Sequence, residues 1–180
     1  MSSNTNRAYV EAFQQGDEAA FEWIYQQYRG PLYQFIYRFT NEEQLSIDVV
    51  QDTFLQIQKD KDKYDAQKAS FKTYLFQIAY NKMINKMKRR AKLKKILPFL
   101  VVEHRDIDIV DQLNVRFALQ KLKEDHRAVI ILSYYHRLTH EEIADVLAIP
   151  MGTVKSRLHH AIGQLKKILE VDDRGNERTI

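Results

Sequence analysis

Between Lys82 and Lys95 the sequence places eight Lys or Arg residues and no Asp or Glu. Cations at that density suit a polyanion, whose charges they neutralise while displacing its condensed counterions. The whole chain carries a formal charge of only +4, so everything outside the stripe is net acidic and the stripe is a local device. Charge alone leaves three uses open: a solvated helix face, a nucleic-acid track, or contact with an anionic membrane surface. A second set of residues lies further along. Met151, Gly152, Lys155, Ser156, His159 and His160 share the outer face of one amphipathic segment. Short polar and basic side chains so arranged suit base edges and phosphates.

Other chemistry is sparse. The absence of cysteine excludes disulfides, a thiolate nucleophile, iron–sulfur clusters and Cys-built zinc sites, and it suits a reducing compartment. His136 and His140 have the four-residue spacing of metal ligands on one helix. A new helix is expected to begin at Thr139, between them, so the spacing loses that geometry. His140-Glu141 lacks the second His of a zincin. There is no phosphate-cradling Gly loop and no convincing nucleophile–base set. The expectation is a non-enzyme with no metal, no cofactor and no small-molecule substrate.

The elements that position these residues read as helices. Five Gly and three Pro in 180 residues, with 44% hydrophobic residues, supply too few turn-formers for a fold of many short strands. The expected fold class is all-α. MSSNTNR has no apolar signal region, and the run Ile96–Val102 is far short of a membrane span; a cytoplasmic protein is expected. Sixteen of the 20 aromatic residues lie in the first 80 positions, and all six His lie beyond position 100. This shift predicts two small helical domains, 1–95 and 114–180, joined by a linker at 96–113. The apolar run Ile96–Val102 within that linker is expected to dock on something.

In the first domain, Arg7–Gln15 predicts a short helix closed by Gly16, and Asp17 caps the next. Phe21, Ile24, Tyr25, Tyr28, Leu32, Phe35, Ile36 and Phe39 form its core stripe, with a kink or break expected at Pro31. Thr40 and Glu43 have capping-box spacing before a helix whose apolar face is Leu45, Val49, Val50, Phe54, Leu55 and Ile57. Residues 59–69 read as a loop. Ser70 caps a long helix from Phe71 to about Lys95, with Leu75, Ala79, Met83 and Met87 inward; Phe71 and Phe76 are better suited to core than to stacking. In the second domain, Val110–Leu122 and Arg127–His136 read as amphipathic helices. Thr139 and Glu142 form another capping box, opening a helix with Ile143, Ala144 and Leu147 inward. Ala148-Ile149-Pro150 makes a three-residue turn. Helical periodicity then resumes from Met151 to Leu169, before a polar tail at 171–180 that should fray. This is a helix-turn-helix.

LTHEEIADVLAIPMGTVKSRLHHAIGQLKKIL resembles the promoter-reading region of bacterial extracytoplasmic-function (ECF) sigma factors, and GTVKSRL, Gly152–Leu158, is the most specific marker. IDVVQDTFLQIQK resembles the family's core-polymerase-binding helix, and FKTYLFQIAYNKMINKMKRR its helix for the −10 element. The blocks follow the family's order. Gln58 stands where an aromatic is common, Ala148 where Gly is frequent, and Lys123 where Pro often opens a helix. The resemblance implies that Asp48, Gln51, Asp52, Leu55 and Gln56 meet core RNA polymerase. It implies that Lys61, Lys63, Tyr64, Lys72, Asn81, Lys82, Asn85, Lys86, Arg89 and Arg90 take the unpaired −10 strand. Met151, Thr153, Lys155, Ser156, Arg157, His159 and His160 are implied for the −35 duplex, Arg157 through a phosphate. Core RNA polymerase, promoter DNA and an anti-sigma factor, often a membrane protein, are the implied partners. The alternative is a stand-alone helix-turn-helix regulator that binds duplex DNA without polymerase; a membrane-associated helical adaptor is a third class.

Overall fold

The computed structural model describes residues 3–96 and 110–176. Among these residues the regular structure is helical: α1 Ser3–Gln14, α2 Glu18–Thr40, α3 Glu43–Lys59, α4 Phe71–Ile96, α5 Val110–Lys121, α6 Glu124–Ile130, α7 His140–Leu147 and α8 Met151–Asn176. A 3-10 turn at Lys61–Lys63 follows α3, and α6 passes into a π-helical turn at Ile131–Tyr135. The expected linker run Ile96–Val102 lies almost wholly outside the described residues.

In the first half, α2 packs on α1, α3 and α4. Ile24, Leu32, Phe35, Ile36 and Phe39 are fully buried there against Leu45, Ile57, Leu75, Phe76 and Met83. Phe71 is buried as well, in keeping with core roles for both Phe71 and Phe76. Asp17 caps α2 by accepting from the Ala20 N–H at 3.0 Å. Pro31 neither breaks nor ends α2. Proline removes one backbone donor and crowds the carbonyl four residues back; here both Pro31 and Gln27 are on the exposed face, where a carbonyl without its helical partner costs less than in the core.

The capping box expected at Thr40 and Glu43 does not form. α2 continues through Thr40, whose hydroxyl donates back to the Ile36 carbonyl at 2.9 Å and accepts from the Glu42 N–H at 3.2 Å. Asn41, in the left-handed region at φ 56°, closes α2, and Glu42 begins α3 without a side-chain cap.

In the second half, α8 packs on α5, α6 and α7. The Thr139 box is complete: Thr139 Oγ1 accepts from the Glu142 N–H, and Glu142 Oε2 accepts from the Thr139 N–H. The inward face of α7 is Ile143, Val146 and Leu147, with Ala144 only half-buried, so Val146 takes the place expected for Ala144. Ala148 sits at φ 52°, the conformation for which Gly is frequent, and its N–H reaches back toward Ala144 and Asp145. α6 starts three residues before the expected Arg127, and α8 runs to Asn176, past the expected fraying point. The two halves also pack on each other, α4 against α7 and α2 against α5, α6 and the π turn.

Candidate nucleic-acid interface

The α3 face holds the first group. Leu55 belongs to the expected apolar face yet is 63% exposed, whereas its neighbours Phe54 and Ile57 are buried. It borders a shallow apolar groove lined by Phe21, Tyr25, Gln51, Phe54 and Gln58. Phe21, Tyr25 and Gln58 were not among the expected contact residues; the groove brings them beside Gln51 and Leu55 across the α2–α3 seam, which no linear pattern reveals. Asp48 accepts from Gln44 at 2.9 Å. Asp52 and Gln56 face α4: Asp52 pairs with Lys86 at 2.9 Å, and Gln56 Oε1 accepts from Lys82 Nζ at 3.3 Å. The expected polymerase and −10 surfaces therefore share a seam of one ion pair and one hydrogen bond. Such part-exposed contacts stabilise little, but they orient Lys82 and Lys86.

The second group runs from the 61–64 turn along α4. Lys63 pairs with Asp60 at 2.9 Å, which holds the Asp60 carboxyl below its ordinary value, helped by Gln56. Tyr64 is half-buried, its ring on Phe71 at 5.0 Å and Tyr74 at 5.3 Å, its hydroxyl donating to the Ala69 carbonyl. Burial pushes the Tyr64 phenol pKa up. Along α4, Asn81, Asn85 and Arg89 are exposed, and Arg90 pairs with Glu42. Asn81, Asn85 and Arg89 follow one another at four-residue spacing along α4, and Tyr64 of the turn packs on Phe71 and Tyr74 at the N-terminal end of that helix.

Lys72 departs from that row. Its ammonium donates to the His136 carbonyl at 2.7 Å and lies over the Phe76 ring at 6.0 Å. Burial pushes its pKa down, partly offset by Glu142. The expected −10 contact is thus held by the second half of the chain. Around it, Glu142 Oε1 accepts from the Ser70 hydroxyl at 3.3 Å and the Thr73 hydroxyl at 3.2 Å, and Gln77 Nε2 donates to the Asp145 carbonyl at 2.9 Å. Ser70 also caps α4, accepting from the Thr73 N–H at 3.1 Å. One carboxylate therefore stands at the N-termini of α7 and α4 together, where helix dipoles favour negative charge.

Two further residues tie the halves. Arg127 is buried and donates to the carbonyls of Leu119, Gln120 and Leu122 in its own half and to Phe39 at 2.7 Å in the other. Gln120 Nε2 donates to the Arg38 and Phe39 carbonyls. The open carbonyl end of α2 is thereby closed from across the chain. His136 packs its ring against Phe35 and Phe76 at 5.8 and 4.9 Å, with Nε2 buried and unpaired. Desolvation, followed by the charges of Arg38 and Lys72, lowers its pKa to about 4. Sequence reading met His136 only as a metal ligand to be excluded, and Arg127 only as a helix start.

The third group lies on α8. Met151, Gly152, Lys155, Ser156, His159 and His160 are exposed, while Val154, Leu158 and Ala161 are buried. Ser156 Oγ donates to the Thr153 carbonyl at 3.0 Å, and Thr153 is half-buried. Arg157 is turned to Asp125, at 2.7 Å, and is 25% exposed. His160 stacks on His126, with ring centres 6.4 Å apart. Among the described residues no cluster of three or more His, Asp or Glu could hold a metal.

An all-helical chain with a helix-turn-helix in one half and a basic strip in the other defines a two-part nucleic-acid reader. Comparison with known families identifies which kind. Residues 24–93 match Sigma-70 region 2, and residues 118–167 match Sigma-70, region 4. The ECF RNA polymerase sigma factor SigW of Bacillus subtilis is 28% identical over 178 residues, covering 89% of this chain and 94% of the relative. The ECF RNA polymerase sigma-E factor of Haemophilus influenzae is 29% identical, covering 87% and 91%. Among solved structures, the sigma factor RpoE in complex with the anti-sigma factor NepR from Bartonella quintana superposes with a TM-score of 0.74 at 25% identity, covering 84% of this chain and 98% of that one. CnrH in complex with the cytosolic domain of CnrY gives 0.73 at 27%, covering 93% and 98%. This chain belongs to the sigma-70 family of RNA polymerase sigma factors and is of the ECF type.

Proposed function

We propose that the chain binds core RNA polymerase, directs it to particular promoters and promotes opening at the −10 element. One observation carries the reading: a region 2 match and a region 4 match lie in that order in one chain. Residues 1–95 would meet polymerase through the Leu55 face of α3 and take the unpaired strand along α4 and the 61–64 turn. Residues 114–180 would read the −35 duplex with the exposed face of α8. The chain would act without catalysis of its own.

The solved relatives named above are complexes with NepR and with CnrY; an inhibitory protein partner of that kind is proposed here too. Among the described residues no helix is long and apolar enough to cross a membrane, so membrane attachment would come from that partner. Each DNA-reading half makes few contacts, and joint engagement needs a scaffold that fixes their spacing. The free chain should therefore bind duplex promoters weakly.

The test is addition of the purified chain to sigma-free core RNA polymerase on a promoter library. Promoter-specific transcripts are expected. Tight, sequence-specific duplex binding by the free chain, with no transcripts from the mixture, would instead favour the stand-alone regulator.

A further inference from the structure

α1 lies outside both family matches, which begin at residue 24, yet it reaches the turn expected to meet the −10 strand. The Gln14 amide carries two N–H donors, and its Nε2 donates to the Lys61 carbonyl at 3.2 Å and to the Tyr64 carbonyl at 3.0 Å. One side chain thus ties both ends of the turn that carries Lys61 and Lys63. The anchor itself is firm. Val10 and Phe13 of α1 are buried, Tyr9 stacks on Trp23 with ring centres 4.2 Å apart, and Phe13 meets the edge of Phe71.

Gly16 closes α1 at φ +94°, a conformation that L side chains rarely adopt, with Lys61 Nζ beside it. On its far side the turn rests on the Tyr64–Phe71 contact. It is therefore clamped between α1 and α4, with the Lys63 side chain exposed.

We infer that α1, through the two hydrogen bonds of Gln14, preorganises the Lys61–Tyr64 turn for the unpaired promoter strand. This makes Gln14 a positioning residue for −10 capture. The inference rests on the −10 role proposed for that turn. Without the tie, Lys61 and Lys63 keep their charges, but the turn must be ordered at the moment of binding, at the expense of affinity. A lost positioning residue and a lost phosphate contact then leave different signatures. The first weakens binding at every salt concentration and leaves the salt slope intact. The second reduces the slope by about one phosphate.

The experiment uses holoenzyme reconstituted from core RNA polymerase and the full chain, with a fluorescent single-stranded −10 oligonucleotide titrated at several salt concentrations. Gln14→Glu keeps the size but turns a carboxylate toward two carbonyls; Gln14→Ala is the milder variant. Both should weaken oligonucleotide binding, Gln14→Glu by about tenfold, with affinity for core polymerase and duplex −35 binding unchanged and, for the uncharged Gln14→Ala, the salt slope unchanged as well. Lys61→Ala and Lys63→Ala should lower the slope. If the lysine variants weaken binding and both Gln14 variants match the parent, the positioning role is wrong and the −10 reading stands. If the lysine variants also match the parent, the −10 reading of the turn fails and takes the inference with it.

Discussion

The ammonium of Lys72 and the carbonyl of His136 are 2.7 Å apart, although the two residues belong to different halves of the chain. A lysine proposed for the −10 strand is spent on a carbonyl at the end of the π turn. The same contact surface holds Ser70, the cap of α4, and Thr73 and Gln77 within it against Glu142 and Asp145 of α7. If Lys72 meets the −10 strand as proposed, its ammonium must leave that carbonyl, and parting α4 from α7 would release it.

The cysteine-free sequence makes this testable with Gln77→Cys and Asp145→Cys joined by a short cleavable bis-maleimide. The cross-linked chain should direct transcription at least tenfold less well than the same chain after cleavage, because a closed state that cannot bind removes its share of the population. Equal transcription before and after cleavage would show that α4 works without leaving α7.

His136 makes the closed arrangement sensitive to acid. Its pKa is about 4 where packed, against an ordinary 6.5, because burial strips the ring of water and the charges of Arg38 from α2 and Lys72 from α4 add to that. Between those values the open or unfolded chain binds a proton that the closed chain rejects. The contribution is thus complete above about pH 6.5 and is lost as pH falls toward 4, with an upper bound of about 3 kcal/mol. Small-angle scattering of the free chain should show expansion over that window. His136→Phe, which keeps a ring between Phe35 and Phe76, should remove most of the pH dependence; an unchanged profile in the variant would assign it to carboxylates elsewhere.

Arg127 closes carbonyl ends in both halves. Arg127→Ala leaves those carbonyls short of donors in a buried place and should cost about 3–5 kcal/mol in urea unfolding. Arg127→Lys should recover little, since one ammonium cannot span the four carbonyls that a planar fork reaches. Loss below about 1 kcal/mol for the alanine variant would mean that water replaces the guanidinium.

Residue patterns carried much of the architecture. Asp17, Ser70 and the Thr139–Glu142 box are local signals, and each caps its helix as expected. The outer face of α8 follows from periodicity alone. What escaped was long-range. Glu142 reads as a cap for α7 but also receives Ser70 and Thr73 from the start of α4 and its cap, 72 and 69 positions away in sequence. Thr40 misled because its hydroxyl serves a helix end equally well by bonding back to Ile36. The α2–α3 groove combines side chains from two helices, so neither helix alone announces it.

Ala148 pays for a conformation that a methyl group disfavours. At φ 52° an L-residue is strained by roughly 1 kcal/mol, and the turn into α8 demands the angle. Ala148→Gly should therefore leave stability equal or higher, by up to about 1 kcal/mol after the added freedom of the unfolded chain. Thermal unfolding checks it. A clear loss of stability would show that the Ala148 methyl contributes packing that outweighs the strain.

Arg157 and Lys155 offer a separation of phosphate holding from base reading on one helix. Lys155 is exposed on the same face as Ser156 and His159, whereas Arg157 is turned to Asp125 at 2.7 Å. A phosphate near α8 must compete with that carboxylate. Asp125→Asn should release the guanidinium, raise affinity for all −35 variants alike and steepen the salt dependence by up to one phosphate contact. Arg157→Ala should do the reverse. Lys155→Ala should instead change preference at one or two −35 positions, by about 1–3 kcal/mol for a lost base contact. Arg89→Ala should leave −35 preference alone and impair opening, since Arg89 lies on α4. The measurement is transcription by reconstituted holoenzyme across −35 and −10 variants at two salt concentrations. A uniform loss shared by Lys155→Ala and Arg157→Ala would mean that α8 holds the duplex by charge and leaves its sequence to be read elsewhere; no response to Asp125→Asn would mean that Arg157 takes no phosphate.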